Sequence, residues 1–249
     1  MEIIAQRPKA LTKLGFTYCP GCLHGVAHRL IAEAVDEMEL NNVMCGVAPV
    51  GCSVFAYKFF DFDMAEAAHG RAPAVATGMK RARPDMHVFT YQGDGDLAAI
   101  GTAEIVHAAN RGEHISVFFV NNAIYGMTGG QMAPTTLPEM KTTTSPYGRK
   151  TDDIGFPIRM SELISTLVAP YYIERVSLLS PAEIIKAKKA VAKAIRYNKE
   201  RRGFTFVELI STCPTNWGID PIKSRDWARE NMLPFFKIQC FRDKGEGVE

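Results

Sequence analysis

The chain has 249 residues, 47% of them hydrophobic, with 29 Lys and Arg against 27 Asp and Glu and so a net charge of +2. That length holds one large α/β domain or two small ones with a sizeable core, and near-neutral charge argues against a dedicated nucleic-acid binder. No apolar run reaches the roughly 20 residues that cross a bilayer, and "MEIIAQRPKALTKLG" has no signal-peptide pattern. Six cysteines at this length make no disulfide framework. The expectation is a cytoplasmic protein with reduced thiols, away from membranes and nucleic acid, where paired cysteines bind metal or do redox work.

Along the chain, a Cys19-x-x-Cys22 pair comes first, and no second such pair follows. Residues 24–39 place Ala27, Leu30, Ile31, Ala34 and Met38 on one helical face. Residues 42–49 read as a short buried strand ending in Pro, 72–82 as a helix with Pro73 at its start, and 87–92 as a strand. A helix over 97–111 stops at Gly112, and 114–122, "HISVFFVNN", is an apolar strand of the kind buried on both faces.

Residues 128–157 have no periodicity and are rich in Thr, Pro and Gly. A loop of that length is uncommon unless it is functional or disordered, and its place directly after the main motif favours function. A strand over 171–177 follows. Ser180-Pro181-Ala182-Glu183 is a capping box, and its helix carries Ile184, Ala187, Lys188, Val191 and Ile195 along one stripe. The basic stretch 186–202 reads as that helix's solvated face. A strand over 203–211 comes next, and 219–249 carries no motif. The alternation predicts an α/β fold, a mostly parallel sheet with helices on both faces, and a single domain over 1–249 with 219–249 as a C-terminal extension.

The strongest motif runs from Gly93-Asp94-Gly95-Asp96 to Asn121-Asn122. A strand ends at Gln92, and glycines let backbone approach an anion. The helix that follows points its free N–H groups at that anion, and the next strand returns Asn121-Asn122 beside the turn. Asp94 and Asn122 then offer a carboxylate and an amide oxygen to Mg²⁺, completing a diphosphate–Mg²⁺ clamp. An isolated Gly-Asp-Gly is weak; in this context it is specific.

The Gly-Asp-Gly…Asn-Asn pattern looks like the thiamine diphosphate motif. Together with "CPGCLHG" (19–25), "GCS" (51–53), "HGRAPAVATGMKRA" (69–82), "NNAIYGMTGGQMAPTT" (121–136) and "CPTNWG" (213–218), it makes residues 15 to 220 resemble the β subunit of the 2-oxoacid:ferredoxin oxidoreductases, nearest the 2-oxoisovalerate and 2-oxoglutarate branches. The resemblance implies the thiamine diphosphate-binding fold, with thiamine diphosphate, Mg²⁺ and a [4Fe–4S] cluster as cofactors. It adds the Ile124 carbonyl to Asp94 and Asn122 as Mg²⁺ ligands. Gly93, Gly95, Asp96, Tyr125, Gly126, Met127 and Thr128 match the diphosphate-cradling segments, with Ser53 counted among the cofactor contacts and His69 as a catalytic candidate near the cofactor.

The implied cluster ligands are Cys19 and Cys22, in an N-terminal segment of about 15–25, with Cys52 and Cys213. Spacing alone leaves zinc open at the same four thiols; the thiamine motif favours the cluster, since oxidative decarboxylation needs an electron acceptor. Cys45 reads as a buried hydrophobe, Cys240 matches no cluster position, and His24 reads first as a polar residue at a helix start.

The implied activity is oxidative decarboxylation of a 2-oxoacid to acyl-CoA and CO₂, with electrons passed through the cluster to ferredoxin. An α subunit would supply the activating Glu and much of the substrate pocket, with γ and ferredoxin-like δ subunits beside it and the 2-oxoacid and coenzyme A as substrates. Apolar Val54-Phe55 leans towards a branched-chain or aromatic acid, because a 2-oxoglutarate enzyme would want a cation near its second carboxylate. The alternatives are a 2-oxoglutarate-specific member, a non-oxidative thiamine enzyme, and a non-catalytic zinc-stapled module.

Overall fold

The computed structural model describes residues 6–248. Its centre is a seven-stranded sheet: β1 Met44–Ala48, β2 Asp63–Glu66, β3 His87–Gly93, β4 Ile115–Asn121, β5 Tyr172–Ser177, β6 Thr205–Ile210 and β7 Gln239–Asp243. The strand order is β2-β1-β3-β4-β6-β5-β7. The first six are parallel, and β7 pairs antiparallel with β5. The fold is the mostly parallel α/β architecture that the alternating elements implied.

Alternation along the buried strands sends side chains to two cores. Phe89 and Tyr91 of β3, Phe118 and Val120 of β4 and Val207 of β6 face one cluster, with α1 His24–Glu37 and α7 Pro181–Lys199. Val88, Val117, Phe119 and Phe206 face the other, with α3 Ala72–Ala82 and α4 Thr102–Asn110. Each buried Phe contributes about 1.5–3 kcal/mol, and a strand clad on both faces has no reason to alternate polar with apolar. Ser180 caps α7 by accepting from the Glu183 amide, as a capping box requires. Lys188 on the basic stretch of α7 reaches Glu33 and Glu37 of α1 at 3.0 and 2.8 Å.

Four features differ from the expected elements. A 3₁₀ turn Cys52–Phe55 runs into α2 Ala56–Phe59, and β2 lies at the sheet edge. The single helix expected over 97–111 is split: Asp96–Ile100 is a π-helical turn, closed by Gly101 N donating to Asp96 O at 2.9 Å, before α4 begins. The aperiodic segment holds α5 Thr151–Ile154, with α6 Met160–Ser165 after it. The C-terminal extension builds α9 Lys223–Phe235 and β7, burying Ala228, Met232 and Phe236. Among the described residues no helix is long and apolar enough to cross a membrane.

The aperiodic segment is held from inside. Arg149, 4% exposed, donates to the carbonyls of Ala133, Pro134, Thr136, Gly155 and Phe156 at 2.8 to 3.3 Å. Ala133 O and Pro134 O also accept the amides of Thr136 and Ile158, so the guanidinium is the partner that Thr136 O, Gly155 O and Phe156 O depend on.

Candidate active site

Neighbouring strands β1, β3, β4 and β6 each lead, at their C-terminal ends, into a segment singled out above: Gly51–Ser53, Asp94–Asp96, Asn122–Thr128 and Cys213–Trp217. Ligands of parallel sheets sit at this edge. A depression there is lined by Ser53, His69, Gly93, Asp94, Gly95, Asp96, Asn122, Ile124, Tyr125, Gly126, Met127 and Thr128, together with Cys52 and His24. The structure thus gathers His69, Ser53 and every residue that the resemblance assigned to Mg²⁺ and the diphosphate, from four separate stretches of chain.

Asp94 is 2% exposed. Its Oδ1 accepts from the Gly95 amide at 2.9 Å and its Oδ2 from Thr135 Oγ1 at 2.6 Å. Burial pushes the carboxyl up to about 6, with those hydrogen bonds pulling the other way and no cation contributing. A buried carboxylate held in place without a counter-charge suits a divalent cation. Gly95 leaves room for the Tyr125 ring, since a Cβ there would come within 2.4 Å of it.

The segment after β4 is a strained turn. Ala123 adopts φ +60°, a region that costs a residue with a Cβ. Asn121 Oδ1 accepts from the Ala123 amide at 3.2 Å, and Thr136 Oγ1 donates to Ala123 O at 2.6 Å. Asn121 Nδ2 in turn donates to Glu208 Oε1 at 2.8 Å, and Glu208, fully buried, lies 2.9 Å from Arg175 Nε. Asn122 Oδ1 accepts from the Ile124 amide at 3.3 Å, while Trp217 Nε1 donates to Asn122 O at 3.1 Å.

Asp96 is engaged inward. Its Oδ1 accepts from His69 Nδ1 at 2.5 Å and from the Gly70 amide at 2.6 Å, and its Oδ2 from Gln92 Nε2 at 2.7 Å. With Nδ1 donating to the carboxylate, the Nε2 edge of His69 is left for the depression, an orienting arrangement. His24 forms part of the wall. It is 2% exposed, bonds Tyr91 Oη through Nδ1 at 2.6 Å and stacks on Tyr18, and burial pushes its imidazole down to about 4.

The four cysteines converge beside this depression. A Cβ on Gly126 would stand 3.4 Å from both Cys52 Sγ and Cys213 Sγ. Burial pushes the Cys22 thiol up to about 12, and Cys213, Cys52 and Cys19 add to it as neighbouring charges. Among the described residues no group of three or more His, Cys, Asp or Glu side chains is close enough to hold a single metal ion. Cys19 and Cys22 also floor an apolar groove with Phe16, Val26, Leu30 and Ile184. Cys45 and Cys240 are elsewhere, beside Asp63 and Glu174.

Reading the sequence missed Thr135, Gln92, Asn216 and Trp217 as site residues. Asn216 and Trp217 lie in the quoted "CPTNWG", and Thr135 in "MAPTT", but nothing local shows that their side chains reach across to the cofactor side.

Residues 49–209 match the thiamine pyrophosphate enzyme, C-terminal TPP-binding domain family. The chain is 49% identical over 232 residues to the ketoisovalerate oxidoreductase subunit VorA of Methanothermobacter thermautotrophicus, covering 93% of this chain and 49% of that relative. It therefore spans about half the length of that relative. It is 34% identical to the 2-oxoglutarate synthase subunit KorB of Methanocaldococcus jannaschii, covering 90% of this chain and 78% of KorB. A solved 2-oxoglutarate:ferredoxin oxidoreductase from Magnetococcus marinus, with 2-oxoglutarate, coenzyme A and succinyl-CoA bound, superposes with a TM-score of 0.77 at 31% identity, over 90% of this chain and 73% of that one.

Proposed function

This chain belongs to the 2-oxoacid:ferredoxin oxidoreductase β-subunit family, and from that premise we propose that it is the cofactor-carrying part of an enzyme that oxidatively decarboxylates a 2-oxoacid to acyl-CoA and CO₂. Asp94, Asn122 and the Ile124 carbonyl would hold Mg²⁺. Gly93–Asp96 and Tyr125–Thr128 would line the diphosphate, with Ser53 beside it. Cys19, Cys22, Cys52 and Cys213 would hold a [4Fe–4S] cluster. When bound, thiamine diphosphate would supply the carbon nucleophile and electron sink for loss of CO₂, and a cluster on the four cysteines would supply one-electron transfer towards ferredoxin.

The residues of this chain do the positioning. Thr135 and the Gly95 amide orient the Asp94 carboxylate, and Thr136 and Asn121 hold the strained Ala123 turn from which Asn122 and Ile124 would meet the same cation. Asp96 fixes the His69 ring with Nε2 towards the depression, where it would serve as a proton donor or acceptor. The activating Glu and much of the substrate pocket would come from an α partner, with γ and ferredoxin-like δ subunits completing the electron path.

The observation that carries this reading is the shared wall at Gly126: the diphosphate-side segment stands directly against two of the four thiols. Four thiols from three separate segments suit a [4Fe–4S] cluster, whose usual ligation is four cysteines. For the substrate, the relatives named for ketoisovalerate are 49 and 50% identical and those named for 2-oxoglutarate 29 to 35%. Together with apolar Val54 and Phe55, this favours a branched-chain acid.

The test is anaerobic co-production with the α partner and measurement of iron, sulfide and zinc. About four iron and four sulfide per chain, with absorbance bleached by 2-oxoisovalerate more readily than by 2-oxoglutarate, is expected. Zinc without sulfide would remove the electron-transfer reading.

A further inference from the structure

Asn216 sits in α8 Pro214–Trp217, directly after Cys213. Its Nδ2 lies 2.6 Å from Gly126 O and 3.4 Å from Cys213 Sγ. An amide nitrogen carries two hydrogens, and here one goes to each acceptor. Gly126 belongs to the segment lining the diphosphate side, while Cys213 is one of the four converging thiols. One side chain therefore spans the wall between the two halves of the site.

Its surroundings leave it little freedom. Pro214 starts the short helix, Trp217 N donates to Cys213 O at 2.9 Å, and Trp217 Nε1 anchors the same turn to Asn122 O. Gly130 packs against Asn216 closely enough that a Cβ there would stand 3.2 Å from Asn216 Cβ. Rotation of the amide that improves one of its two bonds worsens the other, because both hydrogens lie in one rigid plane. A hydrogen bond donated to a ligating sulfur stabilises the more negative, reduced state and raises a cluster's potential.

We propose that Asn216 is a positioning residue that sets the reduction potential at Cys213 and links that potential to occupancy of the diphosphate side, an inference that rests on the four cysteines holding an iron–sulfur cluster. A diphosphate drawing on the Gly126 segment shifts the carbonyl that shares the amide, and the bond to sulfur changes with it. The cluster would then accept electrons at a different potential when the organic cofactor is in place.

The experiment is a redox titration of the anaerobically purified complex, followed by electron paramagnetic resonance, with and without thiamine diphosphate and Mg²⁺, on the wild type, Asn216→Leu and Asn216→Ala. Leu removes both donors at similar volume; Ala removes them in case Leu does not fold. The expected result is a lower potential in either variant and loss of the difference between cofactor-loaded and cofactor-free protein. An unchanged potential and unchanged cofactor response, with the cluster present throughout, would overturn the role of Asn216 and leave the cluster reading standing. Failure of both folded variants to hold iron that the wild type holds would assign Asn216 to cluster assembly and overturn the redox role. Zinc without sulfide in the wild type would overturn both.

Discussion

Thr135 Oγ1 donates to Asp94 Oδ2 at 2.6 Å, joining two residues 41 positions apart. The next residue, Thr136, holds Ala123 O, so consecutive threonines steady both parts of the proposed cation site. Replacing Thr135 with Val removes a hydrogen bond to a charged group, worth about 1.5–3 kcal/mol. Apparent Mg²⁺ affinity is expected to fall roughly ten- to a hundredfold, with the fold intact. Calorimetric titration of the thiamine-loaded complex reads this directly.

Arg149 keeps those threonines where they are. Arg149→Met leaves the carbonyls of Thr136, Gly155 and Phe156 to find other partners and removes a second donor from those of Ala133 and Pro134. Hydrogen exchange across 128–157 is expected to speed up at least about tenfold, equivalent to ~1.4 kcal/mol of local opening. Exchange in β3 and β4 should stay slow. Unchanged protection of the loop would show that the guanidinium is not its staple.

Arg175 and Glu208 are both fully buried, and Glu208 also receives Asn121 and Ser161. Arg175→Met strands a buried carboxylate and is expected to cost about 3–5 kcal/mol in urea unfolding. Glu162, Arg175's other partner, is 30% exposed, so Glu162→Gln should cost under about 1 kcal/mol. Equal losses would show that the buried pair carries no special weight.

Gly95→Ala would push a Cβ into the Tyr125 ring. The ring is partly exposed and can swing aside, so stability is expected to drop by only about 1–3 kcal/mol. Thiamine diphosphate binding, followed by tryptophan fluorescence, is expected to weaken far more. Wild-type affinity in this variant would place the diphosphate elsewhere.

Cys45 and Cys240 have thiols raised to about 11, chiefly by burial, with Asp63 and Glu174 adding to it. The thiolate is the reactive form, so at pH 8 only about 0.1% of each is nucleophilic. Iodoacetamide labelling of these two, quantified by mass spectrometry, is expected to rise about tenfold per pH unit between 8 and 10. A rate flat across that range would place a cation beside them.

The parts legible beforehand share a physical character. α3 was readable to the residue because Pro73 marks its start and its apolar spacing is regular. β3 and β4 stood out as apolar runs. β2 escaped because Asp63-Met64-Ala65-Glu66 is a short edge strand with half-exposed side chains. α9 escaped because its face is largely charged and Pro234 lies inside it. The split at Gly101 escaped because a π turn keeps helical periodicity almost unbroken. In the site, the Gly-Asp-Gly and Asn-Asn turns were visible because each lies at the end of an apolar strand, in a strand–helix–strand context that makes the pair specific. The contacts of Thr135, Arg149 and Asn216 were not, because ordinary polar side chains acquire their partners only through the tertiary fold.

Thr212 Oγ1 donates to Gly21 O at 2.6 Å, so the loop between Cys19 and Cys22 is tied to the segment that carries Cys213. During synthesis the first two thiols leave the ribosome long before their fourth companion exists. Contacts this distant in sequence form late, after the intervening strands have paired. A cluster held as proposed would therefore be loaded after translation, and a nascent chain arrested short of residue 213 would lack the last of its four proposed ligands.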